Sequence, residues 1–315
     1  MLEQMEEFMG PIKSCLSPIR HVLIYKGHVK NPLLGPFPGN VIKRINTFNE
    51  LNRYREEYHQ PLWKVSAVAG EDLINTLKNE NPKEALLVIP AGQSTTLDKV
   101  FSIAQTSFIK DTFLANGGRG YFNCGSAYWV STKRIYNDLC EEQTQFRKPI
   151  IKTTNLPLFD GIAEGPLCPF PGKKYKAGFF SDAVKVVDEN KHECTIYLSG
   201  GGSFIPSENS KTNQKIKVLV RYPHSELRRL GKKIEECQKW ENAAVLASVG
   251  QGAVLLSMFH PYYGPDDFNI ETYEKMFPDC GTNWRAVKEK LSPLDIRMRF
   301  VLNGMLSELE AMNFE

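Results

Sequence analysis

The sequence predicts an α/β protein with a mostly parallel central sheet flanked by helices and a β-rich C-terminal elaboration. Strand and helix patterns alternate four times in the first ~140 residues, as they do where helices join parallel strands. The continuous apolar run Ala85–Pro90, ALLVIP, is typical of a strand buried on both faces. Strand patterns dominate the second half of the chain, which accounts for the predicted elaboration.

In the first half of the chain, apolar spacing and turn residues define each element. Apolar residues recur at steps of three and four from Val41 to Tyr58, which indicates an amphipathic helix. The segment Asn116-Gly117-Gly118 is a C-terminal stop for the helix before it. The predicted strands are His21–Lys26, Leu62–Ala69, Ala85–Pro90 and Gly120–Asn123. The predicted helices are Val41–Tyr58, Glu71–Leu77, Leu97–Leu114 and Ser126–Glu142.

The second half contains a predicted hairpin and ends on a helix. The hairpin turns at Gly250-Gln251-Gly252, and an apolar face defines the helix Pro293–Met312. The predicted strands are Thr195–Leu198, Lys215–Tyr222, Ala243–Val249 and Ala253–Phe259. Because no stretch has the composition of a linker, we expect residues 1–20 to be an extension and 21–315 to be one domain.

Composition excludes several classes of partner. The net charge of +3 over 315 residues gives no reason to expect nucleic acid, and no run reaches the ~20 apolar residues of a membrane helix. The seven cysteines are scattered and contain no CxxC pair, so we predict neither a metal site nor a disulfide framework. No cofactor is predicted. The acidic N-terminus lacks a secretory signal, which predicts a cytoplasmic protein and leaves other export routes open.

Cys124 is the strongest candidate for a functional residue. It lies in the segment ANGGRGYFNCGSAYW, where a short predicted strand leads directly into a predicted helix. A nucleophile at such a junction projects from a tight turn at the sheet edge. The start of the helix lowers a thiol pKa and supplies N–H groups, here that of Gly125, to an oxyanion. The alternative is a buried, inert cysteine.

Two further segments end predicted strands at the same sheet edge. In LLVIPAGQS, the N–H of Gly92 is a candidate oxyanion donor, although an ordinary strand-ending turn explains the segment equally. In LLSMFHPYYG, His260 is a candidate general base, and the alternative is a half-buried structural histidine. The other candidate cleft residues are Gln93, Ser126, Tyr262, Gly201 and Gly202.

Together these segments resemble the class I glutamine amidotransferase fold, a flavodoxin-like fold in which a cysteine at a strand–helix turn and a distant histidine act on an amide. The resemblance is to the amidotransferase-like domain at the N-terminus of some biotin-protein ligases, and it extends from His21 to the C-terminus. The ligase catalytic loop of Gly-Arg-Gly-Arg type is absent from the sequence, so we expect a stand-alone domain without biotinyl transfer. The matching stretches are HVLIYKG, ALLVIPAGQST, FLANGGRGYFNCGSAYWVS, FDGIAEGP, IYLSGGGSF, KVLVRYP, AAVLASVGQGAVLLSMFHP and LDIRMRFVLNGMLSEL.

The chain also departs from the family pattern. The family has glycine two residues before and two after the cysteine, whereas this chain has Phe122 and Ser126, so we expect a modified turn. The resemblance implies a glutamate two residues after the histidine, and Tyr262 stands there. Loss of such a partner lowers rates by about 10⁴-fold in related triads. Asp266 and Asp267 are nearby substitutes in the sequence.

Three functions are compatible with these residues. In the first, Cys124 attacks an amide carbonyl of a small molecule or peptide, His260 transfers the proton, and the N–H groups of Gly92 and Gly125 hold the oxyanion. In the second, the fold is retained without the chemistry and binds a small metabolite or a protein partner. In the third, Cys124 is a redox-sensing thiol.

Overall fold

The protein is described by a computed structural model that covers residues 19–27, 38–92, 94–136, 150–167, 181–207, 213–276 and 282–312. These residues form a nine-stranded sheet and a four-stranded sheet. The nine-stranded sheet contains β1 (His21–Tyr25), β2 (Lys64–Val68), β3 (Ala85–Ile89), β4 (Arg119–Asn123), β8 (Ser181–Asp188), β9 (Glu193–Ser199), β11 (Ile216–Arg221), β12 (Asn242–Val249) and β13 (Gly252–Ser257). The four-stranded sheet contains β5 (Ser131–Tyr136), β6 (Ile150–Thr153), β7 (Phe159–Gly165) and β10 (Ser203–Pro206).

The strand order of the large sheet confirms the predicted fold class. The order is β2-β1-β3-β4-β13-β12-β11-β8-β9. Neighbours from β2 to β13 are parallel, and those from β13 to β9 are antiparallel. The parallel part contains the four strands predicted for the first half of the chain, and the antiparallel part is the β-rich elaboration. The predicted hairpin joins β12 and β13, with Val249 paired to Gly252 across the turn.

Helices cover both faces of the large sheet. They are α1 (Pro38–Glu57), α2 (Leu73–Lys78), α3 (Ser94–Val100), α4 (Ile103–Ser107), α5 (Gly125–Trp129), α6 (His224–Arg229), α7 (Cys237–Trp240), α8 (Ile270–Met276), α9 (Trp284–Lys290), α10 (Leu294–Val301) and α11 (Ser307–Ala311). The apolar stripe of α1 packs with α10 on one face, and α2 and α3 pack on the other. No described helix is long and apolar enough to cross a membrane.

The helix predicted for Ser126–Glu142 is wrong. The helix at this position, α5, ends at Trp129, and the chain continues as the strand β5. Strand β5 pairs with both β6 and β7. Its sequence, STKRIY, contains threonine, isoleucine and tyrosine, which favour the extended conformation. Residues 137–149, which include the end of the predicted helix, lie outside the described residues.

The helix predicted for Leu97–Leu114 is interrupted. Helix α3 ends at Val100, and Ser102 caps α4 through a reciprocal pair of hydrogen bonds with Gln105. A π-helical segment, Phe108–Leu114, continues from α4. Strands β5, β6, β7, β8 and β10 were not predicted from the sequence, because their partners are distant in the chain and their residues do not form continuous apolar runs.

Candidate functional site

Cys124 occupies the sharp turn that the sequence predicts between strand β4 and helix α5. Its backbone has φ 50° and ψ −120°, a strained conformation that non-glycine residues rarely adopt. The turn is held from below by Ser126, whose buried hydroxyl donates to the Ile89 carbonyl at 2.7 Å and accepts from the Asn123 N–H at 2.9 Å. Ser126 therefore stabilises the turn through its hydroxyl.

Glycine at position 125 allows α5 to contact the loop after β3. A Cβ atom on Gly125 would lie 1.7 Å from the Gly92 carbonyl oxygen, whereas the Gly92 nitrogen would be 3.5 Å away. Gly92 thus directs its carbonyl towards Gly125, and its N–H remains a predicted oxyanion donor. Gln93, the next candidate cleft residue, lies outside the described residues.

Phe122 does not prevent the tight turn at Cys124, although its bulk predicts a modified one. Its side chain is fully buried on the sheet face opposite Tyr121. Space for the ring is provided by Gly120, where a Cβ atom would lie 2.7 Å from a Phe122 ring carbon. The family has glycine at position 122; here Gly120, two residues earlier, leaves room for the larger Phe122 side chain. Cys124 keeps its strained conformation.

His260 lies beside the cysteine turn, just after strand β13. Its N–H donates to the Tyr197 carbonyl at 2.9 Å, and its ring is 4% exposed. The imidazole Nδ1 is 2.6 Å from the Tyr262 hydroxyl and 3.3 Å from the Asn123 side-chain nitrogen. Tyr262 also accepts from the same Asn123 nitrogen, at 3.2 Å.

With the Asn123 amide placed so that its nitrogen faces Nδ1 and its buried Oδ1 has no partner, this network favours one tautomer of His260. An amide nitrogen is only a donor, so Nδ1 accepts from Asn123, and the Tyr262 hydroxyl donates its proton to Nδ1 as well. The proton of the neutral ring is therefore on Nε2. Among the described residues, Nε2 has no hydrogen-bond partner, although it is buried. Burial and, to a smaller extent, the positive charge of Arg44 together lower the pKa of His260 to about 3.

The acid stability of the protein should depend on His260. Between its ordinary pKa of 6.5 and about 3, the unfolded chain binds a proton that the folded chain does not, so stability falls as pH falls through this range. One such group contributes a slope of about 1.4 kcal/mol per pH unit. We expect His260→Gln to remove this contribution, so the stability advantage of wild type over the variant should shrink from pH 6.5 to pH 4.5 in urea unfolding. A difference that stays constant over this range would contradict the buried, neutral state of His260.

The Cys124 thiol is not activated by its neighbours. Burial of the sulfur, opposed in part by the N–H of Gly125, raises the thiol pKa to about 11, although the residue as a whole is half-buried. The sulfur donates weakly to the Ser199 carbonyl, 3.8 Å away. In the described part of the chain, neither Sγ nor the His260 ring makes a hydrogen bond to the other. The Cys124 thiol and the His260 imidazole, the dyad that the sequence predicts, are therefore neighbours without a hydrogen bond through which a proton could pass.

The glycine loop after β9 forms a wall beside Cys124. Ser199, the last residue of β9, supplies the carbonyl that faces the sulfur. The Tyr128 hydroxyl donates to the Gly201 carbonyl at 2.7 Å, and a Cβ atom on Gly202 would lie 2.1 Å from that hydroxyl. Gly201 and Gly202 thus allow the loop to close over Tyr128, and they present no free side chain to the site.

The two aspartates that follow His260 in the sequence do not replace the missing acid. Asp267 pairs with Lys43 and accepts from the Gly264 N–H, and Asp266 is exposed. The Nδ1 position that a triad acid would occupy is already taken by Tyr262 and Asn123.

Sequence reasoning missed two residues that contact the site. Asn123 precedes the cysteine, and nothing in the linear sequence indicates that its side chain reaches His260 across the sheet. Arg44 lies over the Tyr262 ring, 4.1 Å from the centroid. A signal for Arg44 does exist: its spacing from Val41 and Phe48 places it on the apolar face of α1, where a charged residue is unusual.

Comparison with known proteins identifies relatives of most of the chain. The sequence profile of the family described as "Biotin-protein ligase, N terminal" matches residues 45–311. A biotin–protein ligase of Schizosaccharomyces pombe is 27% identical over 195 residues, which are 58% of this chain and 26% of that protein. The chain thus spans about a quarter of the length of this curated relative.

Solved structures with a similar arrangement include glutamine amidotransferases. One glutamine amidotransferase structure has 14% sequence identity and a TM-score of 0.43, with 81% of this chain and 97% of that chain covered. A glutamine amidotransferase from Thermotoga maritima has 12% identity and a TM-score of 0.44, with 93% and 99% covered. A ThuA-like protein from Bacteroides uniformis has 11% identity and a TM-score of 0.39, with 80% and 86% covered.

Proposed function

The chain belongs to the biotin-protein ligase N-terminal family, and we propose that it is a ligand-binding member whose Cys124 site holds a small molecule without hydrolysing it. The observation that carries this proposal is the Tyr262 hydroxyl 2.6 Å from Nδ1 of His260, in the position where an acid would complete a catalytic triad. The curated relative is a ligase by name, and the proposal assigns binding to the region that this chain shares with it.

Tyr262 favours the wrong histidine tautomer for a general base. In a cysteine–histidine–acid triad, the acid accepts a hydrogen bond from Nδ1–H, which leaves Nε2 unprotonated and free to take the thiol proton. Here Tyr262 donates to Nδ1, so Nε2 already carries a proton and cannot accept one from Cys124. A buried imidazolium formed by proton transfer would also have Arg44 rather than a carboxylate nearby.

The thiol and imidazole pKa values support the same proposal. The pKa of Cys124 is raised to about 11 and that of His260 is lowered to about 3, so transfer of a proton from the thiol to the ring is strongly unfavourable. A thiol that remains protonated at neutral pH is a poor nucleophile and a poor target for oxidation. The raised pKa of Cys124 and the lowered pKa of His260 therefore favour binding over both hydrolysis and redox sensing.

A cysteine-dependent hydrolase is the second candidate, and a specific observation favours it. The strained backbone of Cys124 at φ 50° is typical of catalytic nucleophiles, and such strain usually persists where it serves a function. In this alternative, a bound amide would rearrange the Tyr262–His260 hydrogen bond and expose Nε2 as a base, while Gly92 and Gly125 hold the oxyanion.

Alkylation of Cys124 distinguishes the two candidates without knowledge of the ligand. For the binding protein, the labelling rate with iodoacetamide at pH 7 should be on the order of 100-fold below that of glutathione in the same tube, because the thiolate fraction is smaller by at least that factor. The rate should rise about tenfold per pH unit up to pH 9.5. Mass spectrometry of the Cys124 peptide separates this thiol from the other six cysteines.

The matched variant for this experiment is His260→Gln. If His260 does not activate the thiol, the variant and wild type are alkylated at the same rate at pH 7. Rapid labelling of the wild type that levels off below pH 8, together with a slow variant, would refute the binding proposal and support the hydrolase.

A further inference from the structure

Within the described part of the chain, Arg44 is a fully buried cation without a hydrogen-bond acceptor. It lies on α1 and is 1% exposed, and none of Nε, Nη1 and Nη2 has a hydrogen-bond partner among the described residues. Buried charges in proteins are ordinarily paired. The other buried arginines of the described chain, which are Arg55, Arg119, Arg134 and Arg297, all donate to carboxylates or carbonyls.

The contacts that Arg44 does make supply no acceptor for its N–H groups. Its guanidinium carbon is 4.4 Å from the centroid of the Tyr121 ring and 4.1 Å from that of Tyr262. These rings stabilise the charge through their π systems, but they accept none of the hydrogen bonds that the guanidinium can donate. An acceptor supplied by a ligand would satisfy these donors.

Arg44 belongs to the same sheet edge as Cys124. Tyr262, which contacts the guanidinium, donates to His260 beside the cysteine turn. One helical turn before Arg44, the Asn40 side chain donates to the Ala91 carbonyl at 3.0 Å, next to the loop that contacts Gly125. Helix α1 is therefore one wall of the Cys124 site.

Two other features indicate an anion at this edge. Nε2 of His260 is a second buried donor without a described partner. The first turn of α1, whose N-terminal end is positive, contains no acidic residue.

We propose that Arg44 binds the carboxylate group of a small ligand at this sheet edge. The proposal rests on the ligand-binding function proposed above and adds the chemical class of the ligand. A planar guanidinium offers two parallel N–H groups that match the two oxygens of a carboxylate. One guanidinium charge with one neutral imidazole donor matches a singly charged carboxylate more closely than a doubly charged phosphate.

Thermal unfolding with sodium acetate as the probe tests this proposal. When acetate replaces chloride at constant ionic strength, the wild-type protein should gain about 2 °C or more in Tm, because the anion binds only the folded state. Arg44→Met should lose this gain, and Arg44→Lys should reduce it since lysine lacks the planar fork. Arg228→Met, which removes an exposed arginine on α6, should keep the full gain.

Each other outcome overturns the inference. Equal gains in Tm with acetate in wild type and Arg44→Met would mean that acetate acts as an ordinary salt. If Arg44→Met does not fold, a gain in Arg44→Lys equal to that of wild type has the same meaning. A gain with sodium phosphate but not with acetate would refute the carboxylate class. Cys124 alkylation in the same samples separates the two proposals: slow alkylation without an acetate response refutes only this inference, whereas rapid alkylation refutes the proposed function.

Discussion

Replacing Glu310 by alanine is expected to lower the free energy of unfolding by about 3–5 kcal/mol, the range seen when one partner of a buried ion pair is removed. Glu310 lies on the C-terminal helix α11 and accepts from both Arg55 and the Trp63 indole, at 3.2 and 3.1 Å. Both side chains of the ion pair are buried, with 2% and 7% exposure. Among the described residues, the variant would leave the buried guanidinium of Arg55 with only the Pro61 carbonyl as an acceptor.

Two comparisons make this prediction specific to the charge. Arg55→Met combined with Glu310→Leu removes both charges, so most of the lost stability should return, because apolar pairs often replace buried ion pairs without loss. Breaking the exposed pair Lys185–Glu193 by Glu193→Ala should cost less than about 1 kcal/mol. Chemical denaturation of all three variants gives the answer, and a Glu310→Ala protein as stable as Glu193→Ala would contradict the role of this pair.

The sequence predicts those parts of the fold whose signals are local. Strand β3 is a continuous apolar run because both of its faces are covered, and β12 and β13 form the hairpin that their spacing indicates. Strand β5 was mistaken for a helix because its pattern is weak and its pairing with β7 joins residues about 30 positions apart. Such pairing has no signature within a short window of sequence.

The candidate site shows the same division between local and distant information. The turn at Cys124 is predictable, since it depends on a strand, a cysteine and small residues in succession. The tautomer of His260 is not predictable, because it depends on hydrogen bonds to Nδ1 from the Asn123 amide and the Tyr262 hydroxyl. These two groups reach Nδ1 from separate segments of the chain. Tyr262 was identified as a departure from the family, but only its position relative to Nδ1 reveals the tautomer that it favours.

Replacing Gly125 by alanine is expected to destabilise the protein by at least about 3 kcal/mol, the upper part of the range for overpacked sites. The new methyl group would lie 1.7 Å from the Gly92 carbonyl oxygen, a backbone atom that cannot rotate away as a side chain does. Relief requires α5 or the loop after β3 to move, and Cys124 lies between α5 and β4. The substitution should therefore change the cysteine turn as well as the stability.

Gly231→Ala is the matched control, because Gly231 has φ +86° and no atom within 4 Å of an added Cβ. Its cost should be only the left-handed backbone penalty, about 1–2 kcal/mol. The two variants should differ further in Cys124 alkylation, since displacement of α5 increases the exposure of the half-buried Cys124 and lets its thiol pKa fall towards the ordinary value. We expect faster labelling in Gly125→Ala and unchanged labelling in Gly231→Ala. Equal stability and equal labelling in both variants would show that the contact between Gly125 and Gly92 does not hold the thiol in its protonated state.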